Sequence, residues 1–184
     1  FENLVMVTLG TGVGGGIVLD GKIVTGSHGA GGELGHMPVV YDETATCGCG
    51  KKGCLEQVAS ATGIVKETAK LLQSEDMPSV LRDKEGFTAK DVFDAAKDGD
   101  VLALKAVDKL GEYLGIALSH IACVVDPDVF IIGGGVSKAG SFLIDAITKH
   151  YVEKAFHQCR KTPVKLATLG NSAGIYGAAK LVLC

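Results

Sequence analysis

The chain has 184 residues, a formal net charge of −3 and a hydrophobic fraction of 47%. This length suits one domain, or one large lobe of a bigger protein, with a sizeable core. The weakly acidic balance gives no general attraction to nucleic acid or anionic membranes, and no apolar run approaches the roughly eighteen residues that span a bilayer. No basic segment leads into an apolar stretch as in a secretion signal, so we expect a cytoplasmic protein.

The first fifty residues read as antiparallel strands joined by glycine-rich turns. A strand is predicted over Leu4–Leu9, and a second apolar run, IVLDGKIV, follows at residues 17–24. Within that run Asp20-Gly21 predicts a hairpin, because both central positions of such a turn favour positive φ. The chain therefore begins with a β-hairpin region that contains no helix.

Between these runs lies the glycine-rich segment GTGVGGG, residues 10–16. Gly10, Gly12 and Gly15 match G-x-G-x-x-G, but a Rossmann turn must open into a helix, and here a strand follows. A Walker A loop is excluded because G-K-[ST] is missing. The glycine loop of protein kinases also lies between strands, but its companion motifs H-R-D and D-F-G are missing here. What remains is a loop whose N–H groups and Thr11 hydroxyl would cradle phosphate oxygens, with a plain glycine-rich hairpin as the alternative.

Residues 29–56 concentrate metal-binding side chains in one stretch. Six cysteines without a secretion signal favour metal binding or free thiols over a disulfide framework. One imidazole and three thiols satisfy tetrahedral Zn²⁺ with no open position, which is typical of a structural site. The competing interpretation is a disulfide between two of the clustered cysteines, which would leave the third thiol unpaired. His28 is an alternative to His36 as the nitrogen ligand. The predicted ligands are His36, Cys47, Cys49 and Cys54.

Two carboxylates flank this predicted zinc loop. A histidine that binds zinc through one ring nitrogen presents the other as a fixed N–H donor. Glu33 lies three residues before His36, and Glu56 lies two residues after Cys54. Such donors and acceptors suit a neutral polyol such as a sugar, although for each glutamate alone a surface carboxylate is the alternative.

The middle of the chain is predicted to be helical. Helical spacing covers residues 57–73 with an interruption at Gly63, and Cys123 is expected to be buried. Thr88-x-x-Asp91 resembles a capping box, and Asp100 is a good N-cap for a long helix. The apolar stripe predicted for that helix is Val107, Leu110, Leu114, Ala117, Leu118 and Ile121.

The last third carries a second glycine turn. A buried strand is predicted at residues 129–132, followed by three glycines and a helix that starts near Ser141. A strand that runs into glycines and then a helix lets a nucleotide lie against bare backbone. A last strand over residues 163–169 leads to a terminal helix. Its predicted close-packing face is Gly174, Gly177, Ala178 and Ala179.

Two glycine turns and a polyol site together suggest phosphoryl transfer from a nucleotide to a sugar hydroxyl. That reaction also needs a carboxylate beside the attacking hydroxyl, and none stands out in this chain. The segments LVMVTLGTGVGGGIV, GAGGELGHM, CGCGKKGCLEQVASATGI, DPDVFIIGGGVS and LGNSAGIYGAA closely resemble the ROK family of repressors, uncharacterised frames and sugar kinases, and within it the bacterial glucokinases.

The resemblance implies an α/β fold, an actin-like ATPase (ribonuclease H-like) lobe over residues 1–184. It has an N-terminal antiparallel β-hairpin region, a zinc-binding loop at about 29–56 and packed helices. By the family pattern the ATP-binding residues are Thr11, Gly12, Gly133, Gly134 and Gly135. The sugar-binding residues implied are Glu33, His36 and Glu56, and the ligands of structural zinc are His36, Cys47, Cys49 and Cys54.

The family's kinases also have a preceding small domain that carries a D-x-G-G-T motif and an Asn-Asp pair with the catalytic base. This chain opens at Phe1, downstream of both, so we expect no catalytic base in it and an inactive fragment of a longer enzyme. The expected reaction uses ATP with Mg²⁺ to phosphorylate a hexose, first of all glucose to glucose 6-phosphate. The identity of the hexose and polyphosphate as donor stay open, and a homodimer or homotetramer is expected.

Two other functions compete with the kinase. The first is a sugar-sensing ROK transcriptional repressor without its DNA-binding domain, and the second is a zinc-stabilised interaction domain without turnover. The complete glycine loop with Thr11 favours the kinase, and no basic recognition helix is visible in the chain.

Overall fold

The computed structural model describes residues 1–182, and its strands form one mixed sheet in the order β3-β2-β1-β4-β5. β1 pairs antiparallel with β2 and parallel with β4; β2–β3 is antiparallel and β4–β5 is parallel. The strands are β1 Leu4–Leu9, β2 Val13–Leu19, β3 Lys22–Ile23, β4 Val129–Gly133 and β5 Val164–Leu166. The Asp20-Gly21 turn joins β2 to β3 with positive φ at both residues, which confirms the predicted hairpin.

Six α-helices accompany the sheet in the described residues, and α4 is central because it contacts α1, α2, α3 and α5. The apolar stripe predicted for α4 is buried along its whole length, and Asp100 caps the helix through the Ala103 N–H at 2.9 Å. The helices are α1 Leu55–Ala59, α2 Ala61–Ser74, α3 Ala89–Lys97, α4 Val101–Val125, α5 Ser141–Lys154 and α6 Ala173–Val182. None of the helices in residues 1–182 combines the length and apolarity needed to cross a bilayer.

Two glycines bring α5 close to α4. A Cβ at Gly115 would lie 2.7 Å from the His150 Cβ, and one at Gly111 would lie 2.6 Å from the Ala146 carbonyl oxygen. No side chain fits at either position without moving the neighbouring helix. The small residues therefore set the separation between α4 and α5.

Two predicted boundaries in the first half are wrong. The glycine loop covers only residues 10–12, because the later glycines of the segment belong to β2. The helix predicted over residues 57–73 is two helices that meet at Ser60, where the extended backbone ends α1. Ser60 Oγ then accepts the Gly63 N–H at 3.0 Å as the N-cap of α2, so Gly63 lies inside a helix instead of interrupting one.

The last part of the chain also differs from expectation. The strand predicted over residues 163–169 is limited to β5, because only Val164–Leu166 pair with β4. Cys123 is exposed, since it lies on the side of α4 turned away from the core. The predicted close-packing face of α6 is solvent-exposed as well, so its small residues meet no neighbour there. These residues are Gly174, Gly177, Ala178 and Ala179.

The capping box at the start of α3 makes the stability of that helix depend on pH. The Lys84 ammonium, followed by the hydroxyl and N–H of Thr88, lowers the pKa of Asp91. A carboxyl group whose pKa is lowered in the folded state stabilises the fold above its unfolded value of about 3.9. That stabilisation is lost as the pH falls through the folded-state value.

We therefore expect Asp91 to titrate below the ordinary aspartate range when carboxyl resonances are followed by NMR. Lys84→Met should move the Asp91 titration back toward that range, because Lys84 is the largest cause of the shift. An Asp91 that titrates at the ordinary value in the unsubstituted protein would contradict the capping contacts.

Candidate functional site: a four-residue metal cluster beside a glycine loop

The structure gathers the four predicted metal ligands into one cluster. One donor atom from each residue lies within 4.8 Å of all the others. Cys47 Sγ is 3.8 Å from His36 Nδ1, and Cys49 Sγ is 3.6 Å from Cys54 Sγ. Adjacent sulfurs of a tetrahedral zinc site, with Zn–S distances of roughly 2.3 Å, are roughly 3.8 Å apart. The donor set therefore fits a closed tetrahedral site, and the exposed His28 lies outside it.

The backbone around the cysteines forms a tight turn, which we call the cysteine knuckle (residues 46–54). The Cys47 N–H donates to the Lys51 carbonyl at 2.7 Å, and the Gly50 N–H donates back to the Cys47 carbonyl at 2.9 Å. Gly53 has φ +74°, and a Cβ there would lie 1.7 Å from the Val40 carbonyl oxygen. The knuckle therefore requires glycine at this position, where its backbone packs directly against that of Val40.

The thiols of the knuckle lie in different surroundings, buried at Cys54 and exposed at Cys49. Burial raises the pKa of the Cys54 thiol to about 12. The Lys51 N–H lowers the pKa of Cys49 at the exposed tip of the turn. Metal ions bind thiolates, so ligation of Cys54 requires the thiol to lose its proton. Without a metal, burial keeps that proton on the sulfur.

The predicted sugar-binding residues lie on both sides of this cluster. His36 directs Nδ1 toward Cys47, and its Nε2 is 3.9 Å from Glu33 Oε2. On the other side, Glu56 Oε1 is 4.0 Å from Cys47 Sγ. Glu33 is 65% exposed in its side chain and available to a ligand, whereas Glu56 is half-buried. One imidazole N–H and two carboxylates thus border the cluster.

The glycine loop, residues 10–12, is held by the start of α2. The Gly10 carbonyl accepts the Ala61 N–H at 2.8 Å, and the Thr11 carbonyl accepts the Thr62 hydroxyl at 2.9 Å. Beyond the loop, the Val13 N–H donates to Glu56 Oε2 at 3.1 Å. Within the described residues the N–H groups of Thr11 and Gly12 have no partner, so this turn offers two donors to an anion.

Two cavities border the glycine loop. The Glu56 cavity, of about 410 Å³, is lined by Thr8, Gly10, Gly12, Val13, Gly14, Glu56 and Gly134. The α3 cavity, of about 530 Å³, is lined by Gly10, Thr11, Ala61, Ala89, Lys90, Phe93, Asp94, Lys97, Gly135, Val136, Lys138 and Ala139. Gly10 belongs to both cavities, so both border the loop.

Four of the five predicted nucleotide-binding residues reach one of these cavities. Thr11 and Gly135 line the α3 cavity, while Gly12 and Gly134 line the Glu56 cavity. Gly133 is different, because it is buried in β4, where a Cβ would lie 2.6 Å from Met6 Cε, and it lines neither.

A model of the ROK family matches residues 1–184. The chain belongs to the ROK family. It is 45% identical to a glucokinase of Halalkalibacterium halodurans over 98% of this chain and 56% of that protein. A ROK family glucokinase of Streptomyces griseus, solved with glucose and AMPPNP, superposes with a TM-score of 0.85 at 34% identity over 98% of this chain and 60% of its own.

A ROK family transcriptional regulator, described as a homologue of the E. coli MLC protein, is also similar. It superposes with a TM-score of 0.79 at 34% identity, covering 90% of this chain and 42% of the regulator. This ROK chain thus spans little more than half the length of the curated relative named above. The actin-like α/β fold expected from the sequence is confirmed.

Sequence reasoning missed the α3 wall of this ROK chain's larger cavity. Phe93 lies on it between Lys90, Asp94 and Lys97, a stripe with helical spacing. The spacing was visible in the sequence, but only the fold shows that this face of α3 meets Thr11 across a cavity. The bond from Val13 to Glu56 was missed as well, because it joins residues 43 positions apart.

Proposed function

We propose that the protein to which this chain belongs phosphorylates a hexose with ATP, glucose being the first substrate to test. In this proposal residues 1–184 form the large lobe. The observation that carries it is the position of the glycine loop, which borders both a roomy cavity and a cavity that contains the predicted sugar ligand Glu56. Phosphoryl transfer requires such an arrangement, with the phosphates between the nucleoside and the acceptor hydroxyl.

The α3 cavity is the proposed nucleoside site. Its volume of about 530 Å³ lies within the usual range for small-molecule sites, and Phe93 and Val136 supply apolar surface for a base. The unpartnered N–H groups of Thr11 and Gly12 are the proposed donors to the phosphates, with the Thr11 hydroxyl beside them. Mg²⁺ accompanies ATP as the co-substrate and neutralises phosphate charge.

The border of the metal cluster is the proposed sugar site. Glu33 and Glu56 would accept hydrogen bonds from sugar hydroxyls, and His36 Nε2 would donate one. Zinc held by His36 and the three cysteines would be structural, because four protein ligands leave no position open to substrate. Its contribution would be to hold the His36 ring with Nε2 turned outward.

The general base is proposed to come from outside these residues. No carboxylate within residues 1–182 lies in the Glu56 cavity besides Glu56 itself, which already accepts the Val13 N–H. The chain alone is therefore proposed to bind its ligands without turnover. The second candidate function, a sugar-sensing repressor, is favoured by the similarity to the ROK regulator. A repressor has no need for a phosphate-binding loop that borders two cavities, which is why we prefer the kinase.

Glu33→Gln in the full-length protein tests this assignment. Loss of a hydrogen bond between the charged carboxylate and the substrate corresponds to roughly 1.5–3 kcal/mol, so we expect kcat/KM for glucose to fall about 10- to 100-fold. The KM for ATP should stay within about twofold, because Glu33 lines neither cavity beside the loop. Steady-state kinetics with each substrate varied in turn measure both effects.

Glu153→Gln is the matched control, because that carboxylate lies on α5 and contacts only the neighbouring Lys154 among the described side chains. It should leave both constants unchanged. Equal losses for glucose and ATP in Glu33→Gln would contradict the sugar site. A full-length protein that binds glucose and a specific operator DNA, yet shows no phosphorylation with ATP, would favour the repressor.

A further inference from the structure

Glu56 lies between the metal cluster and the glycine loop and contacts both. Its Oε2 accepts the Val13 N–H at 3.1 Å, and its Oε1 is 4.0 Å from Cys47 Sγ. A Cβ at Gly12 would lie 2.0 Å from the same Oε2. The carboxylate therefore occupies the space that any side chain at Gly12 would need.

The position of Glu56 depends on the knuckle through the first turn of α1. Cys54, one of the clustered thiols, is the N-cap of this helix, and its N–H donates to Gln57 Oε1 at 3.1 Å. Gln57 Nε2 in turn donates to the Ala45 carbonyl at 3.0 Å, just before the knuckle. Leu55 is buried, and its N–H donates to the Met37 carbonyl at 2.8 Å. A change in the knuckle would therefore move Glu56.

Metal ligation would hold the cysteine knuckle in place and with it the contact of Glu56 with the loop. Cys47 and Cys54 belong to the same four-residue cluster, and α1 begins directly after Cys54. Fixing the start of that helix keeps Glu56 Oε2 on the Val13 N–H, at 3.1 Å. A charged acceptor makes that hydrogen bond stronger than one between neutral groups.

We infer that Glu56 is a positioning residue that couples the metal cluster to the phosphate-binding loop, so that metal binding and nucleotide binding favour each other. The inference rests on the proposed function, because it takes the loop to be the phosphate site. It adds a second role to a residue that is otherwise expected only to bind sugar. Coupling of binding free energies is reciprocal, so the effect is measurable from either ligand.

The direct test measures binding of a non-hydrolysable ATP analogue with Mg²⁺ to the full-length protein by calorimetry, without sugar. We expect zinc removal to raise the Kd for the analogue about tenfold in the unsubstituted protein. Glu56→Ala should raise this Kd by a similar factor with zinc bound. Zinc removal from the Glu56→Ala protein should then raise the Kd little further. Glu56→Gln should restore part of the affinity, since its amide oxygen can accept the Val13 N–H.

Equal nucleotide affinity in the zinc-loaded and zinc-free protein would overturn the inference and leave the kinase proposal intact. The same holds if Glu56→Ala responds to zinc removal as the unsubstituted protein does. If none of the forms binds the nucleotide, the proposed function itself fails. Amide hydrogen exchange at Val13 gives a readout independent of affinity, and exchange should be faster without zinc.

A glycine pair tests the coupling from the other side and does not require a folded zinc-free protein. Gly12→Ala forces the Glu56 carboxylate away, whereas a Cβ at Gly16, in β2, meets no atom within 4 Å. In competition with a chromogenic chelator, we expect zinc to bind about tenfold more weakly to Gly12→Ala and normally to Gly16→Ala. Unchanged zinc affinity in Gly12→Ala would overturn the inference.

Discussion

Replacing Cys54 by serine is expected to lower the free energy of unfolding by about 4 kcal/mol and to remove the bound metal. Cys54 is buried, belongs to the four-residue cluster and caps α1, so its loss opens the metal site at its most enclosed ligand. Binding to the native state alone stabilises a protein by about 4 kcal/mol when the free ligand is a thousand times above its Kd.

Urea unfolding with and without a chelator, combined with metal analysis, measures this effect. The chelator should lower the stability of the unsubstituted protein to that of Cys54→Ser and should hardly affect the variant. Cys123→Ser is the matched control, because Cys123 is exposed on α4 and lies outside the cluster. A Cys54→Ser protein that keeps a full equivalent of zinc and its stability would show that the cluster is not a metal site.

Gly134→Ala is expected to lower the free energy of unfolding by about 3 kcal/mol. Gly134 has φ +84°, and a Cβ there would lie 2.5 Å from the carbonyl oxygen and 2.6 Å from the nitrogen of Leu9. At φ +84° and ψ −178° the backbone of Gly134 lies in a region that is essentially limited to glycine, which contributes roughly 1–3 kcal/mol of this loss. Overpacking contributes roughly 1–3 kcal/mol. Because Leu9 directly precedes the glycine loop, displacement of its backbone should also weaken nucleotide binding.

Gly135→Ala is the control for this effect, since it changes the next residue along the chain. A Cβ at Gly135 meets no atom within 4 Å, and its φ is outside the left-handed region. Thermal or urea unfolding should therefore separate the two variants clearly, with Gly135→Ala close to the unsubstituted protein. Equal stability of the two alanine variants would mean that β1 and the second glycine turn are not packed as described.

Much of the fold follows from short-range rules that the sequence displays. The strand at Leu4–Leu9 and the hairpin turn at Asp20-Gly21 follow from apolar spacing and turn chemistry. Thr88 and Asp100 cap the helices that they were expected to cap, because a capping side chain bonds to a backbone N–H within three residues. Contacts of this range need no knowledge of the rest of the molecule.

The boundary between α1 and α2 shows where such rules fail. Gly63 has poor helix propensity and was expected to interrupt the helix, yet the break occurs at Ser60. Ala61 and Thr62, directly after the break, hold the carbonyl groups of the glycine loop. The turn is therefore placed where it can contact a segment about fifty residues earlier, and tertiary contact overrides local propensity.

The sequence by itself determined the chemistry of the site: one imidazole and three thiols in a single stretch, two glutamates around them, and a glycine loop between strands. Side-chain chemistry and close spacing are properties of the chain, and the fold only had to bring the ligands together. Tertiary structure alone decided which surfaces meet across space. It placed α3 opposite Thr11, and it joined Glu56 to Val13, because those distances depend on how the sheet and helices pack.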